Sequence, residues 1–382
     1  MNIIVLGYIV RGPIGGLAWH HLQYVLGLTH LGHNVYFFED SDDYPSCYDP
    51  DRNVTDTNPA YGLGFTAKAF SRIGLDDRWV YHDAHAGRWL GPLAGKWQAL
   101  CSSADLLLNI SGINPLRPWF HDIPERVLID TDPVFTQVRH LSDRTAHQRA
   151  TEHTAFFSFG ENISSAGCAI PADGFPWLPT RQPVVLGAWP VTMAPDDGHF
   201  TTVMQWDSYE QVRYQGTLYG MKSGSFAPYM ELPAHTDARL ELCLGSPTAP
   251  RGLLRQKGWL LSDPMEITRD PWSYQRYIQS SRGEFTIAKQ GYVMSRSGWF
   301  SERSANYLAS GRPVVTQETG FSSWLETGCG ILAFNKLEEA VECLADVSDH
   351  YEHHSRAARD IAETYFDSRI VLQKLLGDIF RQ

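Results

Sequence analysis

Several things are scarce in this sequence, and each scarcity narrows the field. No apolar run reaches the roughly 18 residues that a membrane-spanning helix needs. The six cysteines, Cys47, Cys101, Cys168, Cys243, Cys329 and Cys343, stand far apart with no Cys-x-x-Cys pair, so neither a zinc site nor a disulfide framework is indicated. Positive charge is also short. Thirty-two Lys and Arg face 43 Asp and Glu, a formal net charge of −11, which argues against general affinity for DNA, RNA or anionic lipid. The chain opens on MNIIVLGYIV, a strand-like run without a basic leader. The expectation is a cytoplasmic protein, monomer or homodimer, with no nucleic-acid partner and no membrane span. The Asn-x-Ser/Thr sequons at Asn53 and Asn162 are then chance matches.

What is present is ample material for a core. At 382 residues, with 43% hydrophobic and 20% charged side chains, the chain reads as an ordered protein of two domains. Its charge is unevenly distributed. Residues 1–180 hold 12 basic and 19 acidic side chains, whereas residues 251–312 hold 10 basic and 5 acidic, a local excess that suits a small anion. The acidic run at 39–43 reads as a solvated loop.

Strand and helix signals alternate from the start. Ile3–Leu6 is a continuous apolar run, Gly12–Gly16 a turn, Ala18–Leu31 apolar at helical spacing, and Val35–Phe38 apolar again, which is a βαβ unit. Further short apolar strands are expected at 105–110, 126–129 and 155–159, and after the linker at 201–206, 240–244, 259–261, 285–288 and 313–316. Prolines crowd the middle of the chain and disfavour regular structure there. The organisation expected is a parallel-sheet α/β domain at 1–180, a Pro-rich linker at 181–198, a second α/β domain at 199–365, and a terminal helix at 366–382 that packs back on the first domain.

The stretch RSGWFSERSANYLASGRPVVTQETGF, residues 296–321, carries the chemistry. Ser301 reads as the N-cap of a helix of about nine residues that Gly311 stops. The free N–H groups and dipole of that helix start suit a phosphate, with Gly298 allowing close approach to the backbone and Lys289, Arg296 and Arg303 nearby as cations. The next strand ends at Gln317, Glu318, Thr319 and Gly320, at the edge where open α/β sheets bind ligands. Phosphates on the helix start and hydroxyls on the strand end together describe a nucleotide sugar.

At this point the chain resembles GT-B glycosyltransferases. GPIGGLAWHHLQYVLGLTHLGHNVYFFED, residues 12–40, is similar to their first βαβ unit. Gly298, Trp299 and Ser301 match the Gly-Trp-x-Ser core of the plant-type sugar-nucleotide box, and LASGRPVVTQETGF is similar to the Gly-x-Pro-Val-Val segment of bacterial members. Two departures stand out: Arg296 replaces a phosphate-contacting His, and Asn306 takes the position of a Glu, with Glu302 four residues earlier. The resemblance implies two Rossmann-like domains facing each other across a cleft. The donor, a UDP-sugar, would lie on Gly298, Ser301, Glu302, Arg303 and Ser304, on Lys289 and Arg296, on Gln317 to Gly320, and near Gly15 and Gly16. The acceptor, a small natural product or saccharide, would lie in the first domain, with Trp89 and Trp119, flanked by Trp97 and Phe120, as stacking surfaces.

Transfer needs a neutralised leaving diphosphate and a base for the acceptor. His20 or His21 can supply the base, but adjacent helical residues point about 100° apart, and His20 is favoured. Asp132 is an alternative base or acceptor contact. The Asp130/Asp132 pair invites a metal reading, which the position of the donor segment near residue 300 disfavours; no cofactor or metal is expected. Two other functions compete. A sugar-nucleotide epimerase or hydrolase would use the donor site without an acceptor. A Rossmann oxidoreductase is suggested by Gly12–Gly16 and Glu39, although Gly-x-x-Gly-Gly departs from Gly-x-Gly-x-x-Gly.

Overall fold

A computed structural model describes residues 1–381. Its first sheet has eight strands in the spatial order Trp177–Pro179, Ala155–Ser158, Glu125–Asp130, Leu106–Ile110, Asn2–Leu6, Asn34–Asp40, Trp79–Asp83, Arg88–Leu90. All neighbours are parallel except the last pair. The second sheet has six strands, all parallel, in the order Leu260–Ser262, Leu240–Gly245, Phe200–Gln205, Gly283–Thr286, Val314–Gln317, Ile331–Phe334.

The second sheet runs third, second, first, fourth, fifth, sixth in chain order, and the parallel strands of the first run in the same way with a seventh added, so each reverses direction beside its first strand, at Leu106–Ile110 in the first sheet and Gly283–Thr286 in the second. Ligands of such sheets lie at the carboxyl ends of the strands, beside that reversal. The central strands are uniformly apolar because helices cover both faces; Leu106–Ile110 is buried throughout. The strand Trp79–Asp83, the edge strand Arg88–Leu90 and the ribbon Cys47–Asp49/Val54–Asp56 were not expected from the sequence. They are short, and their apolar residues alternate weakly.

The first helix, Gly15–His30, sits between the two halves of the chain and packs on both Pro271–Gln279 and the terminal helix Ser368–Ile379. Gly27 makes the second contact possible, since a Cβ there would lie 2.5 Å from Leu372. Trp19 Nε1 donates to the Pro271 carbonyl at 2.7 Å. The connecting segment is held from several sides. Val184 N donates to the Phe366 carbonyl and the Val184 carbonyl accepts from Ser368 N, a bridge around Asp367; Arg312 donates to the Thr192 carbonyl and hydroxyl, and Arg359 donates to the Trp189 and Ala309 carbonyls.

The acidic run at 39–43 is not a solvated loop. Glu39, Asp40 and Asp42 are all buried. Glu39 accepts the backbone N–H groups of Ile9, Val10 and Arg11 at 2.6–2.8 Å, Asp40 is held by His82 and Arg117, and Asp42 by Arg149. Burial pushes the Glu39 carboxyl up to about 7 against the pull of Arg11 and those three N–H groups. Having spent its oxygens on its own loop, Glu39 is not placed to bind a dinucleotide ribose, which removes the residue that motivated the oxidoreductase alternative.

Candidate active site at the domain seam

The helix that Ser301 caps runs from Glu302 to Ala309, with the Ser301 hydroxyl accepting from Arg303 N at 3.2 Å and Gly311 at φ +69° ending it. Its front faces the first domain. Glu302 is near enough to Tyr8, His20 and Tyr24 of that domain, and to Lys222 of its own, to shift their protonation. Among the described residues, the N–H groups of Glu302 and Ser304 have no hydrogen-bond partner, and neither has the Glu302 carboxylate.

Other polar atoms at this seam are left without partners. His20 Nε2, the Tyr24 hydroxyl and Ser304 Oγ are buried and unpaired. Buried polar groups are nearly always satisfied, so a convergence of orphans marks a place where something else supplies the bonds. Lys222 also lies here. It is 9% exposed, makes no ion pair or hydrogen bond among the described residues, and its ammonium is held well below the ordinary lysine range by burial, with Arg303 and Lys289 adding to the effect. The broader surface hollows, one at Met193, Pro195 and Gln279 and one at His199, Pro233 and Leu260, contain no orphan of this kind.

The two histidines divide their tasks. His21 Nδ1 donates to the Leu17 carbonyl at 2.9 Å and its Nε2 accepts from Tyr8 N at 3.3 Å, so it is a neutral prop beneath Gly7, where a Cβ would meet its ring at 2.1 Å. His20, one residue earlier, turns to the seam. Burial lowers its pKa, partly offset by Glu302, so its ring is neutral near pH 7.

Asp132 has a different environment from the one a base needs. The turn after Glu125–Asp130 is built on buried Asp130, which accepts from Asp132 N, Thr136 Oγ1, Gln137 Nε2 and Ser158 Oγ at 2.6–3.0 Å. Those four donors also leave Asp130 no free oxygen for a metal. Val134 sits at φ +69°, a strained position for a β-branched residue, pinned by Gln137 Oε1 at 2.7 Å. The turn thereby carries Asp132 across to the second domain, where Lys289 Nζ pairs with it at 2.9 Å and the Tyr209 and Tyr292 hydroxyls donate to it. A carboxylate bound by three donors is a domain contact, which corrects its assignment as a base.

The remaining donor residues separate into two groups. Lys289, Glu302 and Ser304 reach the seam. Arg303 does not act as a free cation: it is locked to Glu284 at 2.5 Å, to the Val203 carbonyl at 2.8 Å and to Thr286 at 2.9 Å. Gly15 and Gly16 face protein, since Cβ atoms there would meet the Asp270 carbonyl at 2.4 Å and the Tyr274 ring at 3.1 Å. Gly298, at φ +74°, admits Asn162 of the first domain rather than a ligand, its absent Cβ lying 2.7 Å from Asn162 Cγ. Arg296 is exposed and left-handed at φ +47°. Gln317 accepts from Ala288 N at 3.2 Å, Glu318 caps Gly320 N at 2.5 Å, Thr319 donates to the Trp299 carbonyl at 2.5 Å, and Gly320 turns at φ +94°. The strand end therefore braces the helix-start loop.

The expected stacking surfaces are largely consumed. Trp89 stacks on Trp97 with ring centroids 4.4 Å apart and lies 4.7 Å from His82, while Trp119 leans on both tryptophans at 5.3–5.4 Å; Phe120 is buried in the same cluster. Hydroxyls instead line the first domain's share of the seam. Ser111 Oγ bonds Thr131 Oγ1 at 2.7 Å, and both follow strand ends adjacent to Tyr8. Elsewhere Asp346, His350 and His354 converge, but Gly330 N points at His354 Nδ1, so the ring proton is on Nε2 facing Asp346. That is a carboxylate accepting from imidazoles, at the amino edge of the second sheet.

Lys222, Tyr24, Tyr8 and Asn162 were missed from the sequence. Tyr24 stands four residues after His20, on the same helix face, and Lys222 interrupts the small-residue run Gly-Met-Lys-Ser-Gly-Ser; either signal was readable.

The paired sheets, their matching strand order and a seam at the strand ends define a GT-B fold. No family model matches the sequence, and no curated protein is similar to it. Solved structures are similar along the whole length. An alpha-glucosyltransferase captured with UDP-glucose and DNA containing an abasic site is 12% identical with a TM-score of 0.58, covering 99% of this chain and 98% of that one. AviGT4, a glycosyltransferase of avilamycin A biosynthesis, is 12% identical with a TM-score of 0.55 over 100% and 98%. Anabaena HepE, in complex with UDP and glucose, is 11% identical with a TM-score of 0.55 over 100% of both chains. These likenesses establish the fold. They also correct the expectation that nucleic acid is excluded, because this fold carries DNA in the alpha-glucosyltransferase complexes. No helix among the described residues is long and apolar enough to cross a membrane.

Proposed function

We infer that this chain is a glycosyltransferase that moves a sugar from a UDP-sugar, bound by the second domain, to a hydroxyl of an acceptor bound by the first, a saccharide or small natural product. The observation that carries the reading is the set of unsatisfied polar groups contributed by both domains to one seam: the Glu302 and Ser304 N–H groups, Ser304 Oγ, Lys222, His20 Nε2 and the Tyr24 hydroxyl. The helix front and Lys222 neutralise the diphosphate as it leaves, and Lys289 joins them once it leaves Asp132. Glu302 accepts from sugar or ribose hydroxyls. His20, neutral and unpaired, takes the acceptor proton, with Tyr8, Ser111 and Thr131 lining the acceptor side. The six free thiols suit a cytoplasmic setting.

A thermal-shift panel of UDP-, GDP- and dTDP-sugars tests this. A ligand at 100 times its Kd stabilises the folded state by about 2.7 kcal/mol, and UDP-sugars are expected to raise Tm. No response to any nucleotide sugar refutes the reading. Product analysis with saccharide, small-molecule and DNA acceptors then assigns the acceptor, and conversion of donor without any acceptor would reveal an epimerase or hydrolase.

A further inference from the structure

The loop after Ala155–Ser158 leaves the first domain and lands on the second, and Asn162 is its point of contact. Its backbone N donates to the Ser297 carbonyl at 3.0 Å. Its side-chain Nδ2 donates to the carbonyls of Arg296 at 3.1 Å and Gly320 at 2.9 Å, and its Oδ1 accepts from Ser323 Oγ at 2.9 Å. One amide thus spans two loops that are distant in sequence. The backbone of both loops is shaped to receive it: Arg296, Gly298 and Gly320 all have positive φ, and a Cβ on Gly298 or Gly320 would come within 2.7–2.8 Å of the Asn162 side chain. The loops are also joined to each other, by Gly298 N to the Thr319 carbonyl at 2.9 Å and Trp324 Nε1 to the Gly298 carbonyl at 2.9 Å.

These loops flank the front of the Ser301 helix; among the described residues the Arg296 carbonyl has Asn162 as its donor, whereas the Gly320 carbonyl also accepts from Ser323 N and Oγ. We propose that Asn162 is a positioning residue through which docking of the first domain shapes the nucleotide-sugar site of the second. The inference rests on the glycosyltransferase reading above. When the domains part, the Arg296 carbonyl loses its donor and the Gly320 carbonyl one of three, Gly298 and Gly320 lose the side chain that fills the space beside them, and the loops are free to relax. Donor affinity and closure are then coupled through one side chain, without that side chain touching the donor.

The test compares wild type with Asn162→Asp, which keeps the shape but turns a two-hydrogen donor into an acceptor facing two carbonyls, and with Asn162→Ala. UDP binding is measured by calorimetric titration, and KM for donor, KM for acceptor and kcat are measured with the turnover assay. Removing the side chain that ties the Arg296 and Gly320 carbonyls together is expected to weaken UDP binding roughly 10-fold and to raise donor KM alike, with acceptor KM and kcat at saturating donor within about threefold. Asn162→Ser, which is too short to reach either carbonyl, gives the same readout should the other variants fail to fold. A purely structural role would lower Tm in all variants without moving UDP affinity, and that result overturns the proposal. Wild type that binds no nucleotide sugar would instead overturn the functional reading beneath it.

Discussion

Replacing Lys222 with Met should make the protein more stable and a worse binder of UDP at the same time. The lysine is buried with no partner, and Arg303 and Lys289 add to the effect of burial, so holding an ammonium there costs the folded state more than it costs the unfolded chain. Met has nearly the same length and volume and removes that charge. Exchanging uncompensated buried charge for apolar volume is worth on the order of 1–4 kcal/mol, at roughly 2 °C of Tm for each kcal/mol in a protein of this size. The opposite sign is expected with ligand. A charge-assisted bond to phosphate contributes about 1.5–3 kcal/mol, so UDP affinity should fall roughly 10- to 150-fold. The pH dependence gives a second handle. The folded pKa is lowered while the unfolded one stays near the ordinary value of 10.5, so between them the unfolded chain holds more protons and stability rises with pH; Lys222→Met should lose that slope. UDP favours the charged form, so across the pH range in which the free site releases its proton wild type should take one up on binding, visible as a buffer-dependent enthalpy in titration calorimetry. A lower Tm together with unchanged UDP affinity would refute the reasoning, because it would make Lys222 a packing residue.

Two further outcomes follow from the same geometry. His20→Ala should reduce kcat by about 10²- to 10⁴-fold with little change in donor KM; because burial lowers the pKa of His20 and a base must be neutral, the wild-type rate should hold below pH 6.5 and fall only at lower pH, a limb the variant should lack. Glu284→Gln strips the charge partner from Arg303, whose side chain is 12% exposed against a fully buried Glu284, and should cost about 3 kcal/mol of stability, read as a lower denaturant midpoint.

The architecture was legible in the sequence wherever hydrophobic runs were long and bounded by Gly or Pro. The βαβ opening, the parallel strands of both halves and the capped helix at Ser301 all carry local signals that burial then reinforces. What stayed hidden depends on partners distant in the chain. Glu39, Asp40 and Asp42 look like a hydrated run until the loop at 9–11, Arg117 and Arg149 fold over them. Trp89 and Trp119 look like a sugar platform until Trp97 and His82 cover them. Asn162 lies in a sequon that composition gives reason to dismiss, yet its side chain reaches from the first domain to both loops beside the helix start.

The contrast between Arg303 and Lys222 states the same limit for the site. From sequence, Arg303 is the better phosphate ligand: it is the second residue of a helix whose start invites anions, in the most basic part of the chain. Its guanidinium nevertheless turns under the sheet to Glu284, on a strand that no local pattern links to it. Lys222 lies some eighty residues upstream, beside no recognisable motif, and arrives at the same helix front with its charge unspent. A cation's value to a ligand is set by whether the protein has already neutralised it. That is decided by the tertiary partner, so a phosphate site of this kind is found by asking which buried charges remain unpaired rather than which charges stand near a motif.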